Sequence, residues 1–73
     1  MGYSSDEVVK ALRRLGFEIY KKRGKGSHIV MVKKDPDKTR IVVIPKQKEL
    51  KKGTLSSILR QAGITFEDLK NSL

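Results

Sequence analysis

Two apolar stripes of identical spacing constrain this chain more than any other feature. Val8, Ala11, Leu12 and Leu15 fall at i, i+3, i+4 and i+7, and Leu55, Ile58, Leu59 and Ala62 repeat the interval. Residues so spaced lie along one side of an α-helix, and that side needs an apolar surface to lie on. The first stripe predicts a helix over residues 6–15, opened by Ser4 or Ser5. Ser4 and Glu7 have the spacing of a capping box, in which each side chain satisfies the other residue's backbone N–H. Lys10, Arg13 and Arg14 lie off the stripe, and Gly16 stands where a left-handed stop belongs. The second stripe predicts a helix over residues 54–62, closed by Gly63. Thr65 and Asp68 then form a second capping box, which opens a short tail helix with Phe66 and Leu69 as its apolar residues.

Between the stripes run three short segments with strand character. Residues 17–23 place Phe17 and Ile19 on one face and Glu18 and Tyr20 on the other. Gly24-Lys25-Gly26 turns the chain into a second strand over 27–33, which makes a hairpin. Lys34-Asp35-Pro36-Asp37-Lys38 is another turn, with proline setting φ. Residues 39–44 are rich in β-branched types, and Pro45 ends that strand because it has no N–H for a ladder. Residues 46–52 are a basic connector. The expected fold class is α+β, as one domain over residues 1–73. It has the order α-β-β-β-α, with a three-stranded antiparallel sheet, two helices on one face and a short C-terminal helix. This order resembles that of the double-stranded-RNA-binding domain (dsRBD). Strands two and three are apolar on both faces (Ile29, Met31 against Val30, Val32; Val42, Ile44 against Ile41, Val43). Two helices cover one face of such a sheet. The other is either partly wet or covered by a partner protein or a second copy of the chain.

Charge narrows the partner class. Seventeen Lys and Arg against eight acids leave +9 on 73 residues. A field of that sign draws polyanions, nucleic acid first among them. An ion-paired thermophilic surface would need acids in closer balance with the bases. With no cysteine the core stands without disulfides, in keeping with a cytoplasmic protein. No stretch approaches the roughly 20 apolar residues that cross a bilayer. The first six residues lack the pattern of a signal peptide, so no membrane association is expected.

The only histidine, His28, follows the glycine turn and heads an apolar run, with Lys22, Arg23 and Lys25 close by in sequence. Imidazole takes and gives protons near neutral pH. Metal-free RNA cleavage needs a base for the 2′-OH, an acid for the leaving 5′ oxygen and cations for the charge of the transition state. A histidine among Lys22, Arg23 and Lys25 supplies most of this inventory. On composition alone, a strand-edge histidine that only hydrogen-bonds backbone is the favoured reading, since most lone histidines are structural. Lys51 and Lys52 stand at the start of the second helix, where free N–H groups and the dipole favour an anion; a solvated basic loop is the alternative. Four aromatic residues are too few to suggest a stacking platform for single strands; Tyr20 alone is a candidate, and such a residue is more often a half-buried part of a sheet. No zinc or calcium ligand spacing is present and no cofactor is implied. Ser27 lacks a second histidine–acid pair for a hydrolase triad. Gly24-Lys25-Gly26-Ser27 lacks the spacing and context of a nucleotide-binding loop.

Taken together, three stretches resemble the HicA (YcfA-like) toxin family. They are Lys10-Ala11-Leu12-Arg13-Arg14-Leu15-Gly16-Phe17, Gly26-Ser27-His28, and Ile44-Pro45 with Lys48-Glu49-Leu50-Lys51-Lys52-Gly53-Thr54-Leu55 and Ser57-Ile58-Leu59-Arg60-Gln61-Ala62-Gly63-Ile64. The resemblance implies a dsRBD-like mRNA interferase of a type II toxin–antitoxin pair. It implies His28 as the catalytic residue and a HicB-type antitoxin that covers the site. RNA contacts are expected from Lys22, Arg23, Lys25, Ser27, Lys46, Gln47, Lys51 and Lys52. Relatives often carry histidine where this chain has Gln47, and a basic residue where it has Ser56. The rival readings are a non-catalytic RNA-binding module and a protein-interaction domain.

Overall fold

The computed structural model describes residues 2–22 and 28–73. The element order is α1 (Ser5–Arg14), β1 (Glu18–Lys22), β2 (His28–Lys34), β3 (Thr39–Pro45), α2 (Lys52–Ala62) and α3 (Phe66–Asn71). The three strands form one antiparallel sheet in the order β1-β2-β3. This is the expected helix, sheet, helix, short helix order, consistent with dsRBD topology. The turn expected at 24–26 lies outside the described residues.

Both capping boxes form. Ser4 Oγ accepts from the Glu7 N–H while Glu7 accepts from the Ser4 N–H, and Thr65 and Asp68 do the same for α3. The two long helices end alike. Gly16 (φ 100°) and Gly63 (φ 71°) take the left-handed conformation that disfavours a Cβ. The Gly16 N–H then donates to the Arg13 carbonyl and the Phe17 N–H to the Leu12 carbonyl. The Gly63 N–H donates to Arg60 and the Ile64 N–H to Leu59. This pattern satisfies the last carbonyls and turns the chain back towards the core. α2 starts at Lys52, two residues before the expected Thr54, and its N-cap, Lys51, makes no side-chain capping bond.

Val8, Ala11 and Leu12 of α1 and Leu55, Ile58 and Ala62 of α2 are buried against Ile29, Met31, Val42 and Ile44 of the sheet. Phe17 and Leu69 complete the same core, and so does Leu50, a buried residue inside the segment read as a basic connector. α2 packs along β3, and α1 touches β1, β3 and α3. No described helix covers the opposite face of the sheet. Ile41 and Val43 are exposed there, with Val30 and Val32 half-buried beside them.

Three local details depart from simple alternation. Phe17 precedes β1 rather than beginning it. The β1–β2 register shifts between Ile19 and Lys21, which leaves Tyr20 as the extra residue of a bulge, 70% exposed. Pro45 stays within β3, paired with His28. The Val43 N–H points away from β2 and donates to Gln61 Oε1 of α2 at 3.0 Å. By the period of two, the position of Pro45 also faces away from β2, so its missing N–H costs no ladder bond. Asp35 ties the turn back to β3 through an ion pair with Arg40 at 2.7 Å.

The two faces of β3 should respond differently to one truncation. Val42→Ala should lose about 2 kcal/mol of stability, and Val43→Ala next to it about 0.5 kcal/mol or less. Urea unfolding of the pair measures the difference.

Candidate functional site

His28 is the first residue of β2, and it is exposed. Its neighbour Ile29 is buried in the core. Side chains alternate across a strand, so His28 belongs to the uncovered face, in line with Val30 and Val32. Its register partner on β3 is Pro45, and across from Val30 and Val32 stand Val43 and Ile41. The imidazole therefore sits at one end of an open apolar strip. It is not sealed in the interior.

The residues after Pro45 are brought to the same end of the sheet by an anchor that no local pattern announces. Ser5 is 3% exposed. Its hydroxyl donates to the Gln47 carbonyl at 3.0 Å and accepts the Gln47 N–H at 3.1 Å. The Ser5 N–H, one of the donors a helix start leaves unpaired, also donates to the Gln47 carbonyl. Further along, the Leu50 N–H donates to the Tyr3 carbonyl at 2.8 Å. The connector is thus pinned along residues 3–5. Lys46, Gln47 and Lys48, all exposed, line a hollow of about 300 Å³ with Ser4, Ser5 and Asp6. Lys46 follows directly on the residue paired with His28.

The other expected contacts are distributed differently. Lys22 is the last residue of β1, in register with Ile29 and so one residue from His28 on the neighbouring strand. Arg23, Lys25 and Ser27 lie outside the described residues. Lys51 and Lys52 are exposed at the start of α2 and line a second, larger groove of about 740 Å³ with Tyr3, Leu55, Leu59 and Phe66. Sequence reasoning singled out Tyr20 and missed Tyr3 and Phe66. The structure brings those two rings to 5.7 Å between centroids, in an edge-to-face pair. They are 63 positions apart in the chain, so spacing carries no signal of the pairing.

The distribution of acids shapes the field. Asp6 and Glu7 occupy the first turn of α1, and Glu67 and Asp68 that of α3, where carboxylates stabilise the positive end of the helix. The first turn of α2 has no acid, and its N-cap, Lys51, offers no capping side chain. Among the described residues the Arg40–Asp35 pair is the one ion pair. Most of the basic surface is therefore uncompensated. No described helix is long and apolar enough to cross a membrane.

Comparison with protein families finds a match over residues 5–64 to the family described as the HicA toxin of bacterial toxin–antitoxin. Among curated proteins none matches the chain.

Replacing Ser5 by alanine should release the connector. The Gln47 N–H loses its partner, at a cost of about 1 kcal/mol or more. Hydrogen exchange of the Gln47 amide should accelerate while that of Val42 in the core keeps the protection set by global stability.

Proposed function

Starting from the chain's membership of the HicA toxin family of bacterial toxin–antitoxin systems, we propose that it is a metal-independent endoribonuclease, an mRNA interferase, with His28 as its catalytic acid or base. The observation that supports this most directly is the position of His28, exposed at the end of β2 on the face no helix covers. On this reading an RNA strand approaches the ring from that face.

The chemistry follows from what the neighbourhood holds. A base takes the proton of the ribose 2′-OH, and that oxygen attacks the adjacent phosphorus in line. The bond to the leaving 5′ oxygen breaks, and an acid returns a proton to it. The products are a 2′,3′-cyclic phosphate and a free 5′-OH. His28 serves one of these proton transfers. Cations near the phosphate offset the extra negative charge of the transition state. In this reading Lys22, Arg23, Lys25 and Ser27 on the hairpin side and Lys46 and Gln47 on the connector side hold the strand around His28. Lys51 and Lys52 hold it further along. Gln47 stands in place of the family's frequent histidine, so the proton transfer that His28 does not serve falls to a neighbouring lysine or to solvent water.

The protein would act on mRNA in the cytoplasm, with residues 1–73 working as one unit. Its partner, on this reading, is a HicB-type antitoxin seated over the open sheet face, where one contact surface covers the apolar strip and His28 together. A net charge of +9 on each copy works against self-association on that face and favours a partner of opposite charge.

Expression of the wild type should arrest growth and degrade transcripts, and His28→Ala should abolish both. In vitro His28→Ala should lower the cleavage rate about 10²–10⁴-fold with RNA binding retained. A 2′-deoxy substitution at the scissile nucleotide should stop cleavage, and EDTA should not. Unchanged transcript integrity in both strains would leave a non-catalytic RNA-binding module. Complete inhibition by EDTA, or equal cutting of DNA, would overturn the mechanism.

A further inference from the structure

The groove of about 740 Å³ between the N-terminal segment, α2 and Phe66 has no part in the chemistry at His28. Its volume is that of a small-molecule site. Its wall is apolar, from Leu55 and Leu59, and its two rings are Tyr3 and Phe66. Phe66 is 46% exposed, although Leu69 on the same helix is fully buried. The exposed ring has an aromatic neighbour at 5.7 Å and an ammonium, Lys70 Nζ, 5.9 Å from its centroid. Lys51 and Lys52 stand on the groove's lining, and the one carboxylate there, Glu49, lies against Gly2.

We infer that this groove is a subsite for an unpaired ribonucleotide of the RNA strand, with its base against Phe66 and Tyr3 and its phosphate between Lys51 and Lys52. The inference rests on the reading that the chain acts on RNA. The occupant follows from the combination of walls. Apolar residues and aromatic rings suit a flat π-system, which stacks without regard to base identity. Two lysines at the same place demand that the π-system carry an anion. A bare phosphate would leave the apolar wall wet, and a neutral peptide would leave the ammonium groups unanswered.

The connector sets the distance. Lys51 lies six positions after Pro45, the register partner of His28, a stretch that spans at most about 20 Å. A strand of a few nucleotides held in the groove therefore reaches the ring around the edge of β3. This makes the groove a device for selecting single-stranded substrate, since a paired base cannot turn its face to Phe66.

The test uses the full chain. ¹⁵N-labelled His28→Ala protein is titrated with a mixed-sequence hexaribonucleotide, and separately with hexaglutamate. RNA should shift the amides of Tyr3, Gly53, Ser56 and Phe66 together with those near His28, and hexaglutamate should not. In the otherwise wild-type protein, Phe66→Leu should raise KM for single-stranded RNA about tenfold with kcat nearly unchanged, and Phe66→Trp should restore it. RNA shifts confined to the His28 end, with KM unaltered by Phe66→Leu, would overturn the subsite and leave the nuclease reading intact. Hexaglutamate shifting the groove amides while RNA leaves them unmoved would also overturn it. Wild-type protein that neither binds nor cleaves RNA would overturn the reading on which the subsite rests.

Discussion

Three strands present two faces, and two helix stripes have surface enough to cover one of them. Here Val8, Ala11 and Leu12 from α1 and Leu55, Ile58 and Ala62 from α2 close over Ile29, Met31, Val42 and Ile44. The same strands carry Val30, Val32, Ile41 and Val43 on their other side, where none of the described elements lies on them. A one-residue slip in register would exchange the two sets. The pairing of β2 with β3 therefore decides which residues build the core and which face outward. It also decides that His28 opens outward, because His28 shares its side of the strand with Val30 and Val32.

Charge is arranged with equal economy. Four of the eight acids stand in the first turns of α1 and α3, and Asp35 and Asp37 lie in the turn before β3. Few remain to neutralise seventeen Lys and Arg. α2 is the exception, with lysines in place of carboxylates at its start. Acids placed there would stabilise the helix more, so the choice favours an anion from outside the protein. A helix start alone specifies no ligand. The apolar groove and paired rings beside it are what distinguish a nucleotide from a simple ion.

The connector between β3 and α2 joins these surfaces. It reads as a basic, solvated segment, yet Leu50 within it is buried and its backbone is held by Ser5 and Tyr3. Those bonds fix Lys46 and Gln47 next to the end of β2, and Lys51 and Lys52 next to Phe66. Polar backbone that would otherwise sit partly buried and unpaired is satisfied by residues more than forty positions away.

How much of this is written in the chain depends on the range of the interaction. Helix stripes, the Ser4–Glu7 and Thr65–Asp68 boxes, the stops at Gly16 and Gly63 and the strand runs are local patterns. Each follows from the period or chirality of the backbone, and so the α+β order and the residues of both sheet faces could be read directly. His28 could be singled out because it is the lone imidazole after a glycine turn. Its exposure could not, since that depends on which face the helices choose. The Ser5–Gln47 anchor, the burial of Leu50 and the meeting of Tyr3 with Phe66 join distant parts of the chain, and no spacing encodes them. The sequence alone determined the elements, their order and the family. Tertiary packing decided which side of the sheet stays open and which distant rings and lysines share a groove, because those outcomes depend on how whole elements divide a limited apolar surface.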